Sequence, residues 1–192
     1  KSVLLMLYRE YLLKENISED HIIYMNFESY DYQTITTEEK FREKLNTLLP
    51  NDNKKIYLLF DEIQVVEGWQ RVVNGIRVSF DSDIIITGSN AKMLSGELTT
   101  LLSGRYIEIP IYPLSFSEYL RVKGVDKESR KVDAAYLEYE KFGGFPSVVI
   151  AEETIKDTIL SGIFDSIVLN DVAFRAGVKD STVLKAIISF LS

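Results

Sequence analysis

The 192-residue chain contains no cysteine and a single histidine, His21. Disulfides and thiolate metal centres are therefore excluded, and the natural compartment is a reducing cytoplasm. One imidazole cannot build a histidine-based metal site, so His21 reads as structural. No apolar run approaches the roughly twenty residues that a membrane-spanning helix requires, and no secretory leader is visible. Basic excess is missing as well. A net charge of −7 argues against a broad nucleic-acid-binding face. No repeat or low-complexity segment interrupts the chain. An initiator methionine is absent: the sequence opens on Lys1-Ser2 and runs straight into Val3-Leu4-Leu5. The expectation is a sequence cut at its amino end.

What is present suffices for a sizeable core, since 46% of the residues are apolar and 27% charged. Helix and strand patterns alternate through the first part. Residues 2–15 read as a helix and 22–28 as a strand ending in Glu28. A second helix starts near Thr37, whose hydroxyl can cap it, with Phe41, Leu45 and Leu48 on one face. Residues 50–54 turn into a strand from Ile56. Gly68-Trp69 opens a helix that carries Trp69, Val72, Val73, Ile76 and Phe80 at helical spacing, Trp69 being read as a core anchor. Residues 83–86 form a further buried strand, and the alternating Tyr106-Ile107-Glu108-Ile109 reads as another. Such β/α alternation implies an α/β fold with a parallel sheet flanked by helices. Beyond Pro113 strand signals vanish. A capping box at Ser115 and Glu118 starts a helix, followed by helical segments over 131–142, 153–170 and 180–192, broken by Gly143-Gly144-Phe145-Pro146. The expected boundary lies near residue 112, with 1–112 as the α/β core and 113–192 as a helical segment.

The most informative stretch is Ile56-Tyr57-Leu58-Leu59-Phe60-Asp61-Glu62. An apolar run without alternation reads as a strand buried on both faces. It delivers two adjacent carboxylates to the carboxyl edge of the sheet, where open α/β folds bind ligands. An unpaired buried carboxylate is costly, so the pair points to a bound cation and a water molecule. Asp61 is the candidate to hold Mg²⁺, and Glu62 to polarise a water that attacks phosphate. Lys1-Ser2 leading into a helix matches the end of the phosphate-binding pattern G-x-x-x-x-G-K-[ST]. In that pattern the lysine reaches the phosphates, the hydroxyl ligates Mg²⁺, and the helix dipole supports the anion. The glycines and the strand that precede such a lysine are expected upstream of the residues given. Ser89 and Asn90 follow the 83–86 strand, where they can bond a γ-phosphate or cap the next helix. Arg105 is either a charge stabiliser for phosphate or a solvated surface arginine.

Leu58-Leu59-Phe60-Asp61-Glu62-Ile63-Gln64 followed by Gly68-Trp69 resembles the Walker B region of a family of prokaryotic AAA-type P-loop ATPases. The tracts Ile86–Ser95, Leu102-Ser103-Gly104-Arg105, Pro113-Leu114-Ser115-Phe116 and Gly143-Gly144-Phe145-Pro146 resemble the same family, in the expected order. The resemblance implies a sheet of strand order 5-1-4-3-2, ATP and Mg²⁺ as ligands, and ATP hydrolysis. It implies Lys1 as the Walker A lysine, Ser2 as a metal-ligating hydroxyl, Asp61 as the metal-holding acid and Glu62 as the catalytic glutamate. Ser89 and Asn90 fall at the sensor position, and Arg105 where an arginine finger or sensor acts. Residues 153–192, including Asp171 and Arg175, look like a linker toward a winged helix, which full-length members follow with a nuclease-like domain. A homo-oligomer or a protein partner fits this family, whereas nucleic acid finds no support in the acidic balance. The alternative function is a nucleotide-responsive or nucleotide-free interaction module with negligible turnover. The choice of ATP over GTP comes from the resemblance alone.

Overall fold

The computed structural model describes residues 1–88, 102 and 104–167. The chain divides into two units, Lys1–Ile109 and Pro110–Ser192. The first unit contains α1 (Ser2–Lys14), β1 (Ile22–Asn26), α2 (Glu38–Asn46), β2 (Ile56–Asp61), α3 (Trp69–Ser79) and β3 (Ser82–Ile86). The three strands are parallel in the order β1-β2-β3, with Asn26 opposite Asp61 and Phe60 opposite Ile86. This is the α/β architecture with a parallel sheet expected from the alternation, and it agrees with the P-loop NTPase-like fold that the resemblance implies. Its strands occupy consecutive places, as the second, third and fourth do in the order 5-1-4-3-2.

Side-chain alternation along a strand explains why each helix lies where it does. Ile23, Met25 and Phe27 of the β1 region share one face with Ile56, Leu58 and Phe60 of β2. That face packs against Phe41 and Leu45 of α2 and Trp69, Val72, Val73 and Ile76 of α3. Phe41 meets both Phe27 and Phe60 edge-on, with ring centroids 5.1 Å apart in each pair. Full burial of each such side chain contributes about 2 kcal/mol. On the opposite face Ile22, Tyr24, Tyr57 and Leu59 receive Leu5, Tyr8 and Leu12 of α1. Thr37 caps α2 by accepting the Lys40 N–H.

The segment 106–109 is not a strand. Ile107 and Ile109 are 90% and 74% exposed, and no described strand lies beside them to accept their ladder bonds. Alternation there satisfied the period of a strand without supplying a neighbour, and pairing is what makes a strand.

In the second unit, α4 (Phe116–Lys123) starts at the expected capping box. The Ser115 backbone N–H donates to Glu118 Oε2 at 2.8 Å and the Glu118 N–H returns to the Ser115 hydroxyl at 3.4 Å. Two longer helices follow, α5 (Val132–Phe142) and α7 (Glu153–Ser166), with the short α6 (Pro146–Val149) between them. Tyr119, Leu120, Ala135 and Val149 form the shared core. Gly143-Gly144-Phe145-Pro146 is a tight break. Gly143 takes φ 71°, and Gly144 lies so close to Leu114 that an added Cβ would sit 2.0 Å from its carbonyl oxygen. The expected helix over 180–192, with Asp171 and Arg175, falls outside the described residues.

Two charge clusters generate predictions. The buried His21 ring has Asp20 Oδ1 2.9 Å from Nδ1 and Asp52 Oδ1 2.9 Å from Nε2, and Lys54 Nζ stands 3.6 Å from the other Asp52 oxygen. Only an imidazolium donates through both nitrogens, and the bonds to Asp52 and then Asp20 hold the His21 pKa above its ordinary 6.5. Stability from this clamp is complete below pH 6.5 and is lost as pH rises through the raised native value. Denaturant midpoints measured from about pH 6 upward should fall, and Asp52→Asn should flatten that slope.

In the second unit Lys156, 2% exposed, pairs with Glu138, which also lies 3.2 Å from Lys123 Nζ. The Lys156 ammonium stands 5.0 Å from the Phe142 ring centroid. Its hydrogen bond is the main cause that draws the Glu138 pKa down to about 2. Glu138→Gln strands a buried ammonium and should destabilise this unit by about 3 kcal/mol. Lys156→Met, which fills the same space with apolar atoms, should cost less than about 1 kcal/mol. Equal losses in the two variants, measured by denaturant unfolding, would contradict this asymmetry.

Candidate functional site at the carboxyl edge of the sheet

Alternation along β2 sends Tyr57, Leu59 and Asp61 to the α1 side of the sheet. The first two meet the helix; Asp61, at the strand end, is nevertheless fully buried at 0% exposure. Three neutral donors satisfy its carboxylate. The Thr87 hydroxyl donates to Oδ1. The Tyr24 phenol donates to Oδ2 at 3.2 Å and Asn26 Nδ2 to the same oxygen at 3.3 Å. The Asn26 amide is oriented by the Glu28 N–H, which donates to its Oδ1 at 2.9 Å. Without such donors a carboxylate would not be held in a dry position. Burial, followed by the charge of Asp61, raises the Tyr24 phenol above its ordinary pKa, so it remains a donor.

After Asp61 the backbone leaves the strand abruptly. Glu62 takes the left-handed conformation, φ 54° and ψ 44°, which costs a non-glycine residue about 1 kcal/mol. Its N–H donates to the Thr87 hydroxyl oxygen at 3.4 Å, and Gln64 Nε2 donates to its Oε2 at 2.6 Å. The Ile63 N–H donates to the Thr87 carbonyl at 3.2 Å. The turn moves Glu62 out of the buried row, leaving its side chain half-buried beside Asp61. Two sequence neighbours thus play unlike parts, one a dry anchor and the other an accessible carboxylate.

The structure brings Lys1 to the same edge, where its Nζ donates to the Gly88 carbonyl at 2.7 Å, one residue beyond Thr87. Ser2 is the first residue of α1, and no hydrogen bond joins it to Asp61 among the described residues. Arg105 is exposed, with its backbone N–H bonded to the Leu102 carbonyl at 3.0 Å. Among the described residues no hydrogen bond or ion pair joins it to Asp61 or Glu62. Ser89 and Asn90 lie outside the described residues. Sequence reading did not assign Tyr24, Asn26 and Thr87 to this site. It did mark Glu28 as a strand end, and burial, followed by the charges of Glu62 and Asp61, raises the Glu28 pKa.

The donors fit one kind of cation. Among the described residues no cluster of three or more histidine, cysteine, aspartate or glutamate side chains can hold a metal. One carboxylate at Asp61 and one hydroxyl at Ser2 are hard oxygen donors, suited to Mg²⁺, which keeps several waters and takes its remaining ligands from phosphates.

Comparison with known proteins places this geometry in context. The family described as "AAA domain" matches residues 1–120. An uncharacterised protein of Haemophilus influenzae is 62% identical over 192 residues, covering 100% of this chain and 48% of that protein. An uncharacterised protein of Methanocaldococcus jannaschii is 37% identical over 181 residues, 90% of this chain and 40% of that protein. The chain therefore spans about half, or less, of the length of these curated relatives. No solved structure matches. No described helix is long and apolar enough to cross a membrane.

Thr87 touches both acidic residues, through Asp61 Oδ1 and the Glu62 N–H. Thr87→Val keeps the shape but removes the hydroxyl, and should cost about 2 kcal/mol in denaturant unfolding. Thr87→Ser should recover most of that loss. A Val variant as stable as the wild type would show that Asp61 does not depend on this donor.

Proposed function

The chain belongs to the AAA domain family, and from that premise we propose that it binds ATP and hydrolyses it with Mg²⁺. The observation that carries the reading is the unlike pair at the end of β2. Asp61 is dry and held by three donors, whereas Glu62 is turned out beside it. On this reading Lys1, Ser2 and Ser89 bind nucleotide, and Ser2 together with Asp61 holds the metal. Mg²⁺, when bound, supplies neutralisation of the phosphate charge. Glu62 accepts a proton from water as the water oxygen bonds to the γ-phosphorus and the bond from that phosphorus to the β–γ bridging oxygen breaks, ADP leaving. Asn90 contacts that phosphate or the water, and Arg105 stabilises the charge that spreads over the transferring group. Residues 1–112 form the ATPase core, and 113–192 a helical lid or linker. A cytoplasmic location and a homo-oligomer or protein partner belong to the same proposal.

The test is Mg²⁺-dependent phosphate release from ATP by the full-length protein beside its Glu62→Gln variant. Turnover should fall by about a hundredfold or more in the variant, while ATP binding persists. Equal turnover in both would remove Glu62 from the chemistry. ATP-dependent stabilisation without any phosphate release would instead support a nucleotide-responsive interaction module.

A further inference from the structure

Tyr24 belongs to two environments at once. Its ring packs with Ile22, Leu59 and Tyr57 in the cluster that receives Leu5, Tyr8 and Leu12 of α1. Its hydroxyl leaves that cluster and donates to Asp61 Oδ2 at 3.2 Å. The residue lies two positions before Asn26, which faces Asp61 across the β1–β2 ladder, so strand periodicity carries both to the α1 side. The same helix begins with Lys1-Ser2 and brings the Lys1 ammonium to Gly88. One side chain therefore joins the seat of the helix that carries the phosphate-binding candidates to the carboxylate at the end of β2.

We propose that Tyr24 is a positioning residue for the metal. Its phenol fixes the rotamer of Asp61 relative to α1, so that the carboxylate and the Ser2 hydroxyl present one geometry to Mg²⁺. This rests on the reading of Asp61 as the metal-holding acid. The donor arrangement argues for a positioning role beyond packing. Oδ1 is taken by Thr87, and Oδ2 is shared by Tyr24 and Asn26. Removing the phenol leaves Asn26 as the one donor to Oδ2 among the described residues. The carboxyl plane then gains freedom to rotate while the apolar seat of α1 is untouched. Groups that orient a metal ligand commonly change metal affinity by about ten- to a hundredfold.

The distinguishing variant is Tyr24→Phe, which keeps the ring and removes only the hydroxyl. Mg²⁺ is titrated into the full-length protein at saturating ATP, with phosphate release as one readout. The second readout is Mg²⁺-dependent binding of a fluorescent ATP analogue in a Glu62→Gln background, where turnover does not intervene. The Mg²⁺ midpoint should rise about tenfold in both readouts, a shift that the stability cost of one lost donor to the buried Asp61 does not by itself produce. Tyr57→Phe, on the same face of the sheet, should leave the Mg²⁺ midpoint where it is. An active wild type with an unmoved midpoint in Tyr24→Phe overturns this inference alone. A shift that Tyr57→Phe reproduces also overturns it, because the effect would then be one of packing. A wild type that neither binds nor hydrolyses ATP overturns the ATPase reading, and this inference falls with it.

Discussion

A carboxylate with no solvent contact must obtain from the protein what water would have given it, and the carboxyl edge of this sheet is arranged around that need. Asp61, at the end of β2, receives its hydrogen bonds from the ends of both neighbouring strands: Tyr24 and Asn26 from β1, Thr87 from the residue after β3. Those donors arrive together only because the strands are parallel and in register, with Asn26 opposite Asp61. A slip of one residue in β1 would send Tyr24 and Asn26 to the α2–α3 side and leave Asp61 dry and largely unpaired. The register that buries the apolar residues is thus the register that satisfies the acid. The polar site and the core enforce each other.

The two faces of the sheet divide the work. Phe27, Phe41 and Phe60 fill one side, with Phe41 edge-on to both of the others. Among the described residues the other side is covered by α1, whose buried residues are Leu5 and Leu12. Its amino end lies toward the carboxyl edge, as the bond from Lys1 to Gly88 shows. A polar row therefore fits beneath the start of that helix, on the same side chains' alternation that seats its body. The left-handed turn at Glu62 separates the buried row from the accessible edge within one peptide unit. Its conformational cost is met by local bonds from the Glu62 N–H to Thr87 and from Gln64 to the Glu62 carboxylate.

How far the sequence could be read follows from the range of the interactions involved. The unbroken apolar run into Asp61-Glu62 is local, and both its strand and its place at the sheet edge could be read directly. The capping box at Ser115 and the break at Gly143 are local too, and both took their expected form. Tyr24 and Asn26 were out of reach, because they meet Asp61 through a register that no short window specifies. Thr87 stood in a tract already marked as an edge, yet its double contact depends on the pairing of β2 with β3. The segment 106–109 failed in the opposite way: its alternation is local, but a strand requires a partner. Lys156 carries no signal of its own in a helical segment; only the packing of α5 against α7 reveals it as buried and paired with Glu138.

The charge at the edge links nucleotide binding to cations. Glu28, Asp61 and Glu62 are grouped closely enough that the latter two help raise the pKa of Glu28, in a chain that already carries −7 overall. A nucleotide's phosphates brought to such an edge meet repulsion unless positive charge arrives with them. The Lys1 ammonium and the amino end of α1 supply part of that charge on the proposed reading, and Mg²⁺ the rest. The ammonium rests on the Gly88 carbonyl, a neutral acceptor, and among the described residues no acid pairs with it. Had Lys1 paired with Glu62 instead, phosphate binding would have had to break an ion pair and expose the carboxylate at once. With the cation on a backbone carbonyl and Glu62 on the Gln64 amide, the two groups have separate partners, which on the proposed reading lets the phosphate meet one and the water the other.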